Sequence, residues 1–254
     1  MDTTKDYHSI TNYKDAEDFK RLDFIVDSIL SINNKSISVL DIGCGNGNIS
    51  MALGVVGFNV KGIDIDKTSI DTASQKNTLP NVKFEVYDAN AFSIDNSFDA
   101  IVCSEVLEHL DKPWELVESI YRILKPGGVF VATVPNGFGP REVLITKPMQ
   151  WLHRKNLDKS IVSFKRMLGY ANATMQSSNA DLTHTQFFTV SQFSKMLHGA
   201  GFKKLKWDNA DFVERIFPYS WFTRRIYFLQ KLDCAFANYI PKQLTSGFYT
   251  AWTK

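Results

Sequence analysis

The sequence predicts an α/β fold, a mostly parallel sheet with helices on both faces. Three observations predict it. Between residues 16 and 134, short apolar runs alternate with segments whose apolar residues recur at helical spacing. Several of those runs are close to continuous Val, Ile and Leu, as strands covered on both faces are. The first three runs also end in Asp or Gly, the residues that close a strand and open a loop.

The elements follow in order. Residues 16–32 place Phe19, Leu22, Ile25, Val26, Ile29 and Leu30 on one helical stripe. Residues 38–42 form an apolar strand that runs into the turn Gly43-Cys44-Gly45-Asn46-Gly47, and residues 48–56 resume helical spacing. A second strand covers 59–63 and ends at Asp64; a helix covers 67–76; a third strand, 82–87, ends at Asp88. A fourth strand at 98–103, a helix at 114–124, a turn at Pro126-Gly127-Gly128 and a fifth strand at 129–134 complete the regular part. Beyond Pro135, residues 141–172 read as a basic helical insertion, 189–199 as a helix and 203–207 as a strand. Residues 212–252 are rich in aromatics and arginine, and their pattern assigns no element.

Composition bounds the function. With 254 residues, 44% of them hydrophobic and 22% charged, the chain is neither disordered nor fibrous. The net charge of +2 hides an asymmetry. Residues 1–135 carry 12 basic and 20 acidic residues, a net −8, and residues 136–254 carry 17 and 7, a net +10. Aromatic residues divide the same way, 12 against 21. Three scattered cysteines without a CxxC pair exclude a disulfide framework and a zinc ribbon. Reduced thiols and a polar, acidic N-terminus without a signal-peptide pattern lead us to expect a cytoplasmic protein. No run of about 18 apolar residues suggests a membrane-spanning helix.

Ligands of open parallel sheets bind at the carboxyl ends of the strands. Asp41, Gly43, Gly45 and Gly47 lie at the end of the first strand, where glycines let the backbone bend and approach a ligand. The helix that follows points its N–H groups at the same place. Asp64, about twenty residues on, is placed to accept hydrogen bonds from a ribose diol, and Asp88 to receive an exocyclic amine. A dinucleotide loop would read GxGxxG, but Asn48 stands at the third glycine position, which disfavours a nicotinamide cofactor.

Five segments then carry a resemblance: VLDIGCGNG (39–47), GIDID (62–66), YDAN (87–90), FDAIVCSEVLEHL (98–110) and LKPGGVFVATVPN (124–136). In this order and spacing they resemble the class I S-adenosylmethionine-dependent methyltransferases, in particular the quinone-biosynthesis O-methyltransferases. The resemblance implies a Rossmann-like sheet of seven strands, the last antiparallel, and S-adenosyl-L-methionine as cofactor. It implies that Gly43 and Gly45 pack against the cofactor's methionine part, with Asp64 on the ribose and Asp88 near adenine; Asp41, Cys44, Ile65, Ala89 and Ser104 complete the expected cofactor-binding set. Ser104 and Glu105 are expected by the sulfonium. A single domain is expected: 1–35 an N-terminal helical cap, 36–136 the cofactor core, 137–186 an acceptor-side insertion, 187–207 the last helix and strand of the core, 208–254 an aromatic basic tail.

The sulfonium supplies a reactive methyl, so the protein must align the acceptor and exclude water. A hydroxyl acceptor also needs a base or a metal. Glu105-x-x-Glu108-His109 puts three such groups on one face if the segment is helical. His109 is the expected base or orienting group, with Glu105 and His184 as further catalytic candidates. The same pattern resembles small-RNA 2′-O-methyltransferases, in which Glu105, Glu108, His109 and His184 would hold a divalent metal; this is the second option, not the favoured one. A third option is a cofactor-binding protein without transferase activity. The basic aromatic segments suggest a small or lipid-linked acceptor, quinone- or saccharide-like, with peripheral contact to an anionic membrane. Nucleic acid is not expected, since the basic residues alternate with aromatics and no RNA-binding module is present.

Overall fold

The computed structural model describes residues 3–34, 36–88, 97–140, 143–144, 147, 185–212, 223 and 226–254. Seven strands form one sheet: β1 Ser38–Ile42, β2 Asn59–Asp64, β3 Val82–Val86, β4 Phe98–Ser104, β5 Leu124–Pro135, β6 Lys203–Asn209 and β7 Gly247–Thr253. Their order is β3-β2-β1-β4-β5-β7-β6. β7 alone runs antiparallel to both of its neighbours, β5 and β6. Six α-helices are described: α1 Ala16–Leu30, α2 Asn48–Val56, α3 Lys67–Lys76, α4 Pro113–Ile123, α5 Val190–Gly199 and α6 Tyr227–Ala237. None of the described helices is long and apolar enough to cross a membrane.

The period-2 alternation of the strands divides the core into two layers. Val39, Val60, Val129, Val131, Tyr249 and Ala251 face α1 and α2. Leu40, Ile63, Phe130, Ala132, Val134, Phe248 and Trp252 face α4 and α5. Leu22, Ile25, Val26 and Ile29 of α1 are buried as their spacing requires, whereas Leu30 is half exposed. The buried stripe of α1 also holds Glu17, Asp18 and Arg21.

Two local expectations change. The Pro126-Gly127-Gly128 turn lies within β5: Phe98 pairs with Leu124, then Ala100 with Val129, and the slack residues form a bulge. Gly127 has φ +74°, a conformation that suits glycine. The second change concerns the segment 208–254, read from sequence as a tail outside the core. It supplies β7, which inserts between β5 and β6, so the core does not end at residue 207. Phe248, Tyr249 and Trp252 are therefore core residues. Most of the insertion 137–186 lies outside the described residues.

Asn136, just past β5, clamps the segment that leads into β7. Its buried amide donates to the carbonyls of Lys242, Gln243 and Thr245, and its Oδ1 accepts from Phe138 N–H. A buried donor set of this kind is costly to remove. Asn136→Ala is expected to lower the free energy of unfolding by about 2 kcal/mol in a urea titration; an unchanged midpoint would contradict the clamp.

Candidate active site

The strands β1, β2, β4 and β5 end together at Ile42, Asp64, Ser104 and Pro135. The order changes direction between β1 and β4, where a crevice opens in such sheets. The β1–α2 turn is folded across β2 there. Gly43 and Cys44 N–H both donate to Ile63 O, at 2.8 and 3.0 Å. Gly43 has φ +69°, and a Cβ on it would lie 2.3 Å from Val106 Cγ2. Only glycine lets the loop after β4 close on this turn.

Asp64 holds the turn from the other side. Its Oδ2 accepts from Gly45 N–H at 2.9 Å and its Oδ1 from Asp66 N–H at 2.9 Å. The carboxylate is half-buried, and Ile65 beside it leaves 78% of its surface exposed. An acceptor pair for a diol and a bare apolar side chain thus stand next to each other. Asp88 is exposed and lies two residues past the end of β3 at Val86, so the strand stops short of the expected Asp88 terminus. Ala89 lies outside the described residues.

Asp41 is buried beneath the turn and accepts from Ser50 Oγ at 2.6 Å. Burial, reinforced by the Asp64 charge, pushes Asp41 up to about 7 against the pull of the Ser50 hydrogen bonds. Cys44 and Cys103 are buried, and burial raises both thiols, so they stay protonated and pack as small apolar groups. Asn46 Oδ1 is buried and makes no hydrogen bond among the described residues, so the turn retains acceptor capacity for a ligand donor.

Ser104, Thr133 and Glu105 form a relay. Thr133 Oγ1 donates to Glu105 Oε1 at 3.0 Å, so the 2.9 Å contact between Ser104 and Thr133 has Ser104 as donor. Glu105 takes a left-handed φ of +57°, rare for a residue with a side chain. Only Leu107–His109 form a short 3-10 turn. The expected helical face is therefore absent: Glu105 turns toward Thr133, while Glu108 is buried, with Oε1 3.8 Å from His109 Nε2. Glu105, Glu108 and His109 do not converge as metal ligands, and no cluster of three such groups occurs among the described residues. His184 lies outside those residues. Its neighbours Thr185 and Gln186 both donate N–H to Glu108 O at 2.9 Å, so the chain returns beside the 3-10 turn.

One group was missed by the sequence reading. Arg21 of α1 is buried at the same end of the sheet. Its Nη2 donates to Asp18 at 2.5 Å, and its Nη1 is 3.7 Å from Glu17 and 4.0 Å from Glu105. Tyr249 of β7 donates to Glu17. Burial opposes the charge on Arg21, but Glu17, Asp18 and Glu105 outweigh it and hold the guanidinium ionised. Arg21 Nε is buried without a hydrogen-bond partner among the described residues. The readable signal was charge inside an apolar stripe, since Asp18 and Arg21 share the face of Leu22 and Ile25.

A methyltransferase domain family model matches residues 15–206, three quarters of the chain. The chain belongs to this family of S-adenosylmethionine-dependent methyltransferases. The ubiquinone biosynthesis O-methyltransferase of Rickettsia akari is 32% identical over 121 residues, 46% of this chain and 48% of that protein. The chain spans about half the length of the curated relatives it matches. Among solved structures, a SAM-dependent methyltransferase from Archaeoglobus fulgidus superposes with a TM-score of 0.60 at 17% identity, covering 94% of this chain and 95% of that one. The [4+2]-cyclase SpnF superposes at 0.57 with 16% identity, covering 92% and 80%. The likeness to both is one of fold.

S-Adenosylmethionine is the family's cofactor, and the residues present fit it. The strand ends offer the half-buried Asp64 carboxylate and exposed Ile65, and Asn46 Oδ1 is buried there with no hydrogen bond among the described residues.

The Asp41 titration gives a sign. An unfolded aspartate loses its proton at about pH 4, so between about pH 4 and 7 the folded state holds a proton that the unfolded state has released. Stability owed to this group falls as pH rises through that window. Measured against Asp41→Asn, the wild-type free energy of unfolding is expected to decline from pH 4 to pH 7 and then level off. A pH-independent difference would refute the assignment.

Proposed function

We propose that this protein is an O-methyltransferase that uses S-adenosyl-L-methionine on a small or lipid-linked acceptor, quinone- or saccharide-like. The observation that carries this reading is the Asp64 carboxylate fixed at the Gly45 amide, at the head of the glycine turn. The likeness to ubiquinone biosynthesis O-methyltransferases over half their length supports the hydroxyl acceptor. Asp41, Gly43, Cys44, Gly45, Asp64, Ile65, Asp88, Ala89 and Ser104 form the cofactor set.

When bound, the cofactor supplies an activated methyl group. The residues of this chain do the rest. The Asp64 carboxylate receives the ribose hydroxyls, and the glycines of the turn, Gly43 and Gly45, lie against the cofactor's chain. His109 is half-buried on the 3-10 turn after β4, beside Glu108. In this reading it takes the acceptor's hydroxyl proton or fixes the acceptor's orientation. His184, which lies outside the described residues, is kept as a further catalytic candidate. Glu105 acts at one remove: its carboxylate orients the Thr133 and Ser104 hydroxyls and leaves acceptor chemistry to His109. The metal-assisted RNA reading needs Glu105 beside Glu108 and His109, and the turn of Glu105 toward Thr133 speaks against it. The acceptor's lipid character would place the protein at the surface of an anionic membrane.

A cofactor-binding protein without transfer activity is the competing reading, and the fold shared with a [4+2]-cyclase makes it a real one. The deciding experiment is transfer of a labelled methyl from S-adenosylmethionine to a phenol- or catechol-bearing polyprenyl acceptor. Label in the lipid fraction is expected; none with any hydroxylated acceptor, despite cofactor binding, would favour the competing reading. His109→Ala is expected to lower kcat by about 100-fold or more while cofactor affinity stays within about twofold. Equal losses in both would contradict the role given to His109.

A further inference from the structure

The outer face of α6 is apolar and uncovered. Phe228 is 65% exposed, Leu232 49%, Phe236 53% and Tyr239 88%. These residues are spaced by four, four and three, so they lie along one side of the helix and its C-terminal turn. Ile226 and Tyr227, both exposed, continue the apolar character at the start of the helix. A soluble face would intersperse charges of both signs. Here the exposed charges between residues 226 and 244 are Lys231 and Lys242; the one carboxylate of this segment, Asp233, is buried and accepts from Phe212 N–H at 2.9 Å.

The opposite side of α6 is firmly held. Gln230 accepts from Ala16 N–H at 2.9 Å, Lys20 donates to Cys234 O at 3.1 Å, and Asn209 donates to Ala237 O at 2.7 Å. These anchors also place the helix. Asn209 is the last residue of β6, which runs parallel to β5 because both are antiparallel to β7. Ala16 and Lys20 lie in the first turns of α1, beside Arg21 and Glu105. The face of α6 therefore stands at the end of the sheet where the strands deliver the candidate site.

We propose that this face of α6 is an interfacial docking surface for an anionic lipid bilayer, seated so that a lipid-linked acceptor enters the site from the membrane. The proposal rests on the methyltransferase reading only for what enters the site; the docking itself does not depend on it. The chemistry favours a bilayer over a protein partner. Phenylalanine and leucine enter the acyl boundary, the tyrosines and Lys231, whose ammonium lies 5.1 Å from the centre of the Tyr227 ring, sit at headgroup level, and no exposed carboxylate on α6 repels anionic lipid.

The test is co-sedimentation of the full chain with vesicles of equimolar phosphatidylglycerol and phosphatidylcholine, and with phosphatidylcholine alone. The wild type is expected to sediment with the anionic vesicles and only weakly with the neutral ones. The double variant Phe228→Ser/Leu232→Ser should lose at least about tenfold in partitioning, and Lys231→Ala about fivefold, on anionic vesicles only. The variants' thermal midpoints and cofactor affinities, the latter by calorimetry, should match the wild type, since none of these side chains is buried in the core. Wild-type protein left in the supernatant with both vesicles would overturn the proposal, as would variants that bind like the wild type. A wild-type dimer in light scattering that the double variant dissolves, without vesicle binding, would assign the face to a second copy of the chain and overturn it too. Loss of cofactor binding by the wild type would sink the methyltransferase reading alone.

Discussion

The architecture depends on a turn that carries no side chain where two loops must touch. At Gly43 the backbone passes so close to Val106 that even a Cβ would occupy the valine's place. Because it can pass, the loop after β4 closes over the end of β1. The amides of Gly43 and Cys44 then reach the Ile63 carbonyl, and that of Gly45 reaches the Asp64 carboxylate. The ends of β1, β2 and β4 are thereby drawn to one point. The same turn holds Asn46 Oδ1 buried with no hydrogen bond among the described residues.

A second constraint is electrostatic. Arg21 brings a full positive charge into the protein, and such a charge is tolerated only among carboxylates. Glu17, Asp18 and Glu105 surround it, and Tyr249, Thr133 and Ser104 continue the hydrogen-bonded chain. The N-terminal helix is thus tied to the ends of β4 and β5 and to the strand contributed by the chain's last residues. The acidic character of residues 1–135 partly reflects this: several of its carboxylates hold the site's own framework. The positive character of the remainder leaves Lys231 exposed on α6.

The first five strands and their helices were legible because each is a local pattern, an apolar run or a 3.6-residue stripe that needs no distant partner to be recognised. The glycine turn and Asp64 were legible for the same reason, since spacing alone sets them at strand ends. β7 was not. Its sequence, GFYTAWT, buries Phe248 and Trp252 on one face and Tyr249 on the other, and its partners lie some 40 and 115 residues earlier in the chain. A strand buried on both faces shows no alternation, and aromatics with Gly and Thr resemble a surface tail in composition. The Glu105 conformation was hidden too. A left-handed residue with a side chain has no sequence signature, and helical spacing wrongly united it with Glu108 and His109. The clamp at Asn136 was hidden for the same reason; only the three distant carbonyls around it identify it.

The central claim, that the glycine turn and Asp64 form a nucleoside site for S-adenosylmethionine, is tested most directly by calorimetric titration of the wild type and of Asp64→Ala with that cofactor. Removal of a charged acceptor of two hydrogen bonds predicts an affinity loss of about ten- to a hundredfold or more, with the folded state retained by circular dichroism. Equal affinity in the two proteins, or no binding by the wild type, would contradict the account.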